Sequence, residues 1–216
     1  MPSGTDAGRR REATAVAERY LRVERLARNS FAVLAVAVFL GTGLLTSLLP
    51  AVVVGLLLVG VARAPVLRTS GTVRLRTDDG PDAVVDALIG PAPPVLPLQW
   101  GMADEIDADS DVATYRTSFL FGLRTATVTV RTRTETAPDG SRRVELDLEK
   151  NGDPWASYAA DVSGADGGTE IGVAYGSDRR FGVRRLPQAL VAGRCRDEAL
   201  AAQGYTVVER KREIGP

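Results

Sequence analysis

The chain has no histidine and one cysteine, Cys195. These absences exclude a disulfide framework, a Cys/His zinc site and any histidine-based catalytic triad. Lysine is nearly missing, and arginine carries the positive charge. An excess of either sign is missing too: 27 basic and 27 acidic groups cancel. The charges are segregated, however. Residues 81–178 are strongly acidic, whereas residues 1–80 and 179–216 are basic. An acidic body whose aromatics are not interleaved with basic residues predicts no nucleic-acid partner. Nothing in the sequence calls for a cofactor or a metal. Cys195, though flanked by Arg194 and Arg196, lacks a histidine partner that would activate a thiol, and reads as a packed side chain.

Charge is also missing from Phe31 to Ala62, which reads FAVLAVAVFLGTGLLTSLLPAVVVGLLLVGVA. One straight helix over this run is about 48 Å long at ~1.5 Å per residue. That is too long for a ~30 Å hydrocarbon core without strong tilt. Gly41, Gly43, Ser47 and Pro50 punctuate its middle. The expectation is a transmembrane hairpin over residues 29–64, with helices at about 30–46 and 48–63; a single tilted span is the alternative. Arg19, Arg22, Arg25 and Arg28 precede the run, and Arg63 and Arg68 follow it. Basic residues on both flanks put both ends on the cytoplasmic side. The expected location is therefore the cell membrane, multi-pass, with the lipid bilayer as partner and the remaining domain cytoplasmic.

Residues 1–28 end in a helical pattern, with Val16, Tyr20 and Val23 on one stripe and Glu18–Arg22 and Glu24–Arg28 as i,i+4 pairs. This basic amphipathic helix either lies on the membrane surface or extends into solvent. Residues 65–70 are a linker, and residues 71–216 the main domain. GTVRLRT alternates as a strand, and PDAVVDALI is a short helix with Pro81 in its first turn. GPAPPVLPLQW is a proline-broken apolar loop ending at Trp100. DEIDADSD reads as an acidic turn. Strands follow from Val112 to Tyr175, separated by Ala137–Gly140, Asn151-Gly152 and Ser163–Gly168. A helix runs from Leu186 to about Gln203. Its stripe of Leu186, Ala189, Leu190, Gly193 and Leu200 faces the sheet; Val191, Cys195, Ala199 and Ala202 form a second stripe opposite. YTVVERKREI alternates as a final strand.

The stretches TVRLRTDDGPDAVVDALIG and RRLPQALVAGRCRDEALAAQ, with the meander between them, resemble the START-like (SRPBCC, polyketide cyclase/dehydrase and lipid transport) superfamily over residues 71–204. The resemblance implies an α+β helix-grip fold, an antiparallel sheet wrapped on a long C-terminal helix. It also implies an apolar ligand, lipid or isoprenoid-like, held between sheet and helix. The final YTVVERKREI lies beyond the family's usual end. The family shares no universal catalytic residues, so none is assigned.

By strand parity and loop position, the residues expected to line such a pocket are Trp100, Tyr115, Phe119, Phe121, Trp155, Tyr158, Tyr175 and Leu190. Trp155 and Tyr158 have opposite parity and share a face only if a bulge intervenes. Two other functions stay open. One is a membrane-tethered docking domain with no ligand and an unidentified protein partner, using YTVVERKREI as a free edge. The other is a cyclase-type enzyme using Asp104, Glu105, Asp107 and Arg116. Arg179, Arg180, Arg184 and Arg185 bracket Phe181 before the last helix and are expected either to meet anionic headgroups or to pair with acidic groups of the body.

Overall fold

The computed structural model describes residues 8, 12, 14–16, 33, 36–45, 47–64, 68–119, 123–138, 140–180 and 186–215. Residues 36–45 are helical, and α1 spans Leu48–Arg63. Ser47 is extended (φ −158°, ψ 171°), and Pro50 stands in the first turn of α1, where its missing N–H leaves no bond unmade. A Cβ on Gly55 would meet the Phe39 ring at 3.2 Å, so the two segments fold back on each other.

The expected break is therefore present, but the expected crossing is corrected. No described helix is long and apolar enough to cross a membrane. The break at Ser47 leaves α1 with 16 residues. At ~1.5 Å per residue such a helix is about 24 Å long, short of a ~30 Å core. The multi-pass membrane location falls with it. Leu44, Leu45, Leu49 and Leu56 remain exposed on these helices. Further upstream, residues 14–16 are helical, and Val16 packs against a cluster of Leu98 and Cys195.

The main domain runs β1 (Arg68–Thr77), α2 (Pro81–Ile89), α3 (Pro97–Trp100), β2 (Glu105–Asp109), β3 (Val112–Phe119), β4 (Arg124–Thr136), β5 (Arg142–Lys150), β6 (Asp153–Ala165), β7 (Gly168–Ser177), α4 (Leu186–Ala202) and β8 (Thr206–Gly215). One eight-stranded antiparallel sheet has the order β2-β3-β4-β5-β6-β7-β1-β8. This is an α+β domain in the element order expected of a helix-grip fold. Alternation sets its faces: Val144, Leu146 and Leu148 of β5 are buried, as are Ala160 and Val162 of β6 and Ile171 and Val173 of β7. The tight β5–β6 turn needs positive φ at both central positions; Asn151 (φ 54°) and Gly152 (φ 85°) supply it.

α2 closes one end of the buried face with Val84, Val85 and Leu88. The Thr169 hydroxyl donates to the Asp79 carbonyl at 2.7 Å and ties the α2 entry to β7, and Asp82 pairs with Arg142. The acidic DEIDADSD stretch is not merely a turn. It forms the edge strand β2, whose Asp104 carboxylate accepts the Ser118 N–H at 2.5 Å. Charge on such an edge opposes further strand pairing. Among the described side chains, both stripes of α4 have buried members: Gly193 and Leu200 on one, Cys195 and Ala199 on the other. The second stripe is covered because Leu98, Met102 and Val16 gather at Cys195.

Candidate ligand cleft

β1, β7 and β8 meet α4 at the end of the sheet farthest from β2. On β1, Val73 and Leu75 face inward; β7 pairs Val173 with Val73 and Ile171 with Leu75, and sets Tyr175 opposite Gly71. On β8 a register shift between Arg74 and Leu75 of β1 leaves Val208 without a partner. Strict alternation would put Val207 on the face opposite Arg210. The bulge instead aligns Val207 with Leu75, Arg210 with Val73 and Arg212 with Gly71, and turns Val208 outward, where it is exposed. Two arginines of an outwardly ordinary edge strand thus stand on the inner face of the sheet.

α4 meets them with Gly193, Arg196 and Leu200, which share one face at steps of three and four residues. A Cβ on Gly193 would stand against the Arg212 guanidinium, so the glycine makes room for that arginine. Gly71 does the same for Tyr175: a Cβ there would lie 2.7 Å from the tyrosine hydroxyl and 2.3 Å from the Lys211 carbonyl oxygen. The ring of Tyr175 stacks on Tyr158 with centroids 6.1 Å apart.

A cavity of about 20 Å³ lies here, lined by Val73, Leu75, Val95, Tyr158, Val173, Tyr175, Leu200, Arg196 and Arg210. Space of this size holds about one water, so in this state the cleft is nearly filled, and arginine side chains do part of the filling. Arg210 Nη2 donates to Asp197. Arg196 Nε, Arg210 Nε and the Tyr175 hydroxyl are buried with no hydrogen-bond partner.

Of the residues expected to line a ligand pocket, Tyr158 and Tyr175 border this small cavity. Trp100 and Tyr115 are core anchors instead. The indole Nε1 of Trp100 donates to the Pro93 carbonyl at 2.9 Å, and the Tyr115 hydroxyl donates to the Pro91 carbonyl at 3.2 Å. The Tyr115 bond ties the proline loop to β3, and the Trp100 bond closes that loop on itself. Burial pushes the Tyr115 phenol up to about 12. Trp155 is the extra residue of a bulge, since Leu148 pairs with Ala156 and Glu149 with Pro154; its half-buried ring packs against the core and carries Lys150 Nζ at 5.2 Å. Phe121 and the side chains of Phe119 and Leu190 lie outside the described residues.

The acidic group considered for catalysis is exposed. Glu105 pairs with Arg116 at 3.2 Å across the β2–β3 edge, and no group of residues suited to a metal ion occurs among the described residues. Arg179 pairs with Asp153 at 2.5 Å, Arg180 is exposed, and Arg184 and Arg185 lie outside the described residues. The β8 edge carries Glu209, Lys211 and Glu213 in alternation, a pattern that protects an edge rather than inviting a strand.

Sequence reasoning missed the arginines of the cleft. Arg196 sat between two other charged residues of a helix, and Arg210 and Arg212 in a charged strand. The bulge at Val208 decides their face, and alternation alone gives no sign of it.

No protein-family model matches the chain, and no curated protein is similar to it in sequence. Solved structures similar in shape include the Mll3558 protein from Rhizobium loti, 17% identical, covering 63% of this chain and 98% of that one at a TM-score of 0.43. Ara h 8.0201 is 12% identical, with coverage of 63% and 95% and a TM-score of 0.43. Protein CV1439 from Chromobacterium violaceum is 13% identical, with coverage of 62% and 95% and a TM-score of 0.41. At these scores the likeness carries no argument, and the chain's own topology and packing do.

Proposed function

We propose that the eight-stranded domain is a binding module that takes an apolar small molecule in the cleft between α4 and strands β1, β7 and β8. The observation that carries this reading is the composition of the closure. A purely structural helix covers a sheet with bulky branched side chains, which pack densely. The face that α4 turns to this end of the sheet is Gly193, Arg196 and Leu200. The opposing wall is apolar and aromatic, as binding clefts are. The space between is closed by long, unbranched arginine side chains that reorient at single bonds, so an entering ligand displaces flexible ends and leaves the packed core in place. The module is not read as an enzyme, since the carboxylates considered for catalysis are solvent-exposed and outside this cleft.

A diazirine-bearing decanol, irradiated with the full chain and located by peptide mapping, tests this. The expected result is saturable labelling of peptides from β1, β7 and α4, competed by unlabelled decanol. Labelling confined to the exposed apolar helices of residues 36–63 contradicts the reading.

A further inference from the structure

We infer that this cleft selects an amphiphile with an anionic head, a carboxylate or a phosphate, and that Arg196 and Arg210 hold that head. The inference rests on the binding reading above and adds the class of ligand.

Three observations converge. First, a guanidinium is a planar donor fork that matches carboxylate and phosphate oxygens, and two of them line one small cavity. Second, their hydrogen bonding is incomplete. Arg196 has no hydrogen-bond or ion-pair partner among the described residues; its Nε and the Nε of Arg210 are buried and unmatched. The Tyr175 hydroxyl, a further donor, is buried and unmatched at the same cavity. Buried donors left without acceptors are costly, and one oxyanion between them supplies several acceptors at once. Third, the charge is uneven. Asp197 takes one nitrogen of Arg210, and no acidic residue lines the cavity beside the arginines. The rest of the lining is apolar: Val73, Leu75, Val95, Val173 and Leu200. A neutral apolar ligand would leave the arginine donors unmatched, and a free inorganic anion would leave the apolar wall uncovered. An amphiphile uses both.

The bulge at Val208 and the glycines at positions 71 and 193 belong to the same arrangement. They bring Arg210, Tyr175 and Arg212 into a space that side chains would otherwise occupy.

The test compares diazirine-bearing decanoic acid, diazirine-bearing decyl phosphate and the decanol probe on the full chain. Half-saturation of cleft labelling is expected at about tenfold lower concentration for the anions than for decanol, since one charge-assisted hydrogen bond is worth about that factor. Whichever anion labels at lower concentration identifies the head. Arg196→Gln with Arg210→Gln is expected to raise the anions to the level at which decanol labels the same variant. Arg196→Gln alone keeps the Arg210–Asp197 pair and is the safeguard should the double variant not fold; it is expected to produce part of that rise, with the wild-type melting temperature retained or exceeded. Equal labelling by acid, phosphate and alcohol, unaffected by either variant, overturns the anion selectivity and leaves an apolar cleft. No cleft labelling by any probe overturns both.

Discussion

Trp100→Ala is expected to cost the chain about 3–5 kcal/mol, the range for deleting a large buried aromatic. Trp100 is 5% exposed, and Val95, Leu96 and Leu98 beside it are equally buried. The loop that carries them has prolines at 91, 93, 94 and 97, and its backbone hydrogen bonds are local, from the Leu96 N–H to the Pro93 carbonyl and from the Gln99 and Trp100 N–H groups to the Leu96 carbonyl. Its position is set by the indole, wedged into the core with Nε1 on the Pro93 carbonyl. Truncation opens a cavity, and the loop has no ladder to hold it while the cavity closes. Against a total stability of ~5–15 kcal/mol, this is about a fifth or more. Trp100→Phe keeps most of the area and loses the hydrogen bond, about 1 kcal/mol. Urea unfolding of the full chain reads both. A loss under about 1 kcal/mol for Trp100→Ala would mean that the ring is not an anchor.

Gly71→Ala is expected to cost about 3 kcal/mol, the upper end of the range for an over-packed site. The methyl group would stand 2.3 Å from the Lys211 carbonyl oxygen and 2.7 Å from the Tyr175 hydroxyl. The tyrosine can swing, but the carbonyl belongs to the β8 backbone, so β8 must move off β1. The two strands are hydrogen-bonded partners from Arg68 to Arg76. The displacement carries Arg210 and Arg212 with it and is expected to weaken cleft labelling as well as stability. A variant that melts and labels like wild type would show that β8 gives way freely and does not shape the cleft.

Much of the fold was legible because its signals are local. PDAVVDALI forms the helix that its proline and apolar spacing predict. The β5 residues Val144, Leu146 and Leu148 are buried by alternation, and Gly140 and Gly152 sit at positive φ in the turns where they were expected. What was not legible depends on register and on partners. Trp155 and Val208 are both bulge residues, and a bulge reverses the parity on which face assignments rest. The acidic DEIDADSD stretch alternates only Ile106 and Ala108 with its acids, and its strand exists because the Asp104 carboxylate and the β3 ladder hold it. The sequence left the stripe of Cys195 and Ala199 open between a packing face and tolerated surface, because Leu98, which packs on Cys195, is distant in sequence. The apolar run of residues 31–62 carried a strong length signal for a membrane, but the break at Ser47 leaves 16 residues in the helix after it, and no described helix is long and apolar enough to cross.

The cleft also depends on what is small. Gly71, Gly193 and the missing partner of Val208 carry no chemical signature in the sequence, yet they set where Tyr175 and the arginines stand. Residue type alone identifies Arg196 and Arg210 as surface; the pairing of β8 with β1 brings Arg210 inside.

Amide hydrogen exchange of the full chain, with and without saturating decanoate, tests the cleft most directly. Buried, ligand-covered strands and helices open less often, and their amides exchange more slowly. The account predicts that slowing is concentrated in β1, β7, β8 and α4, while β2 to β4 and α2 exchange as before. Unchanged exchange in those four elements, or slowing confined to residues 47–64, would contradict it.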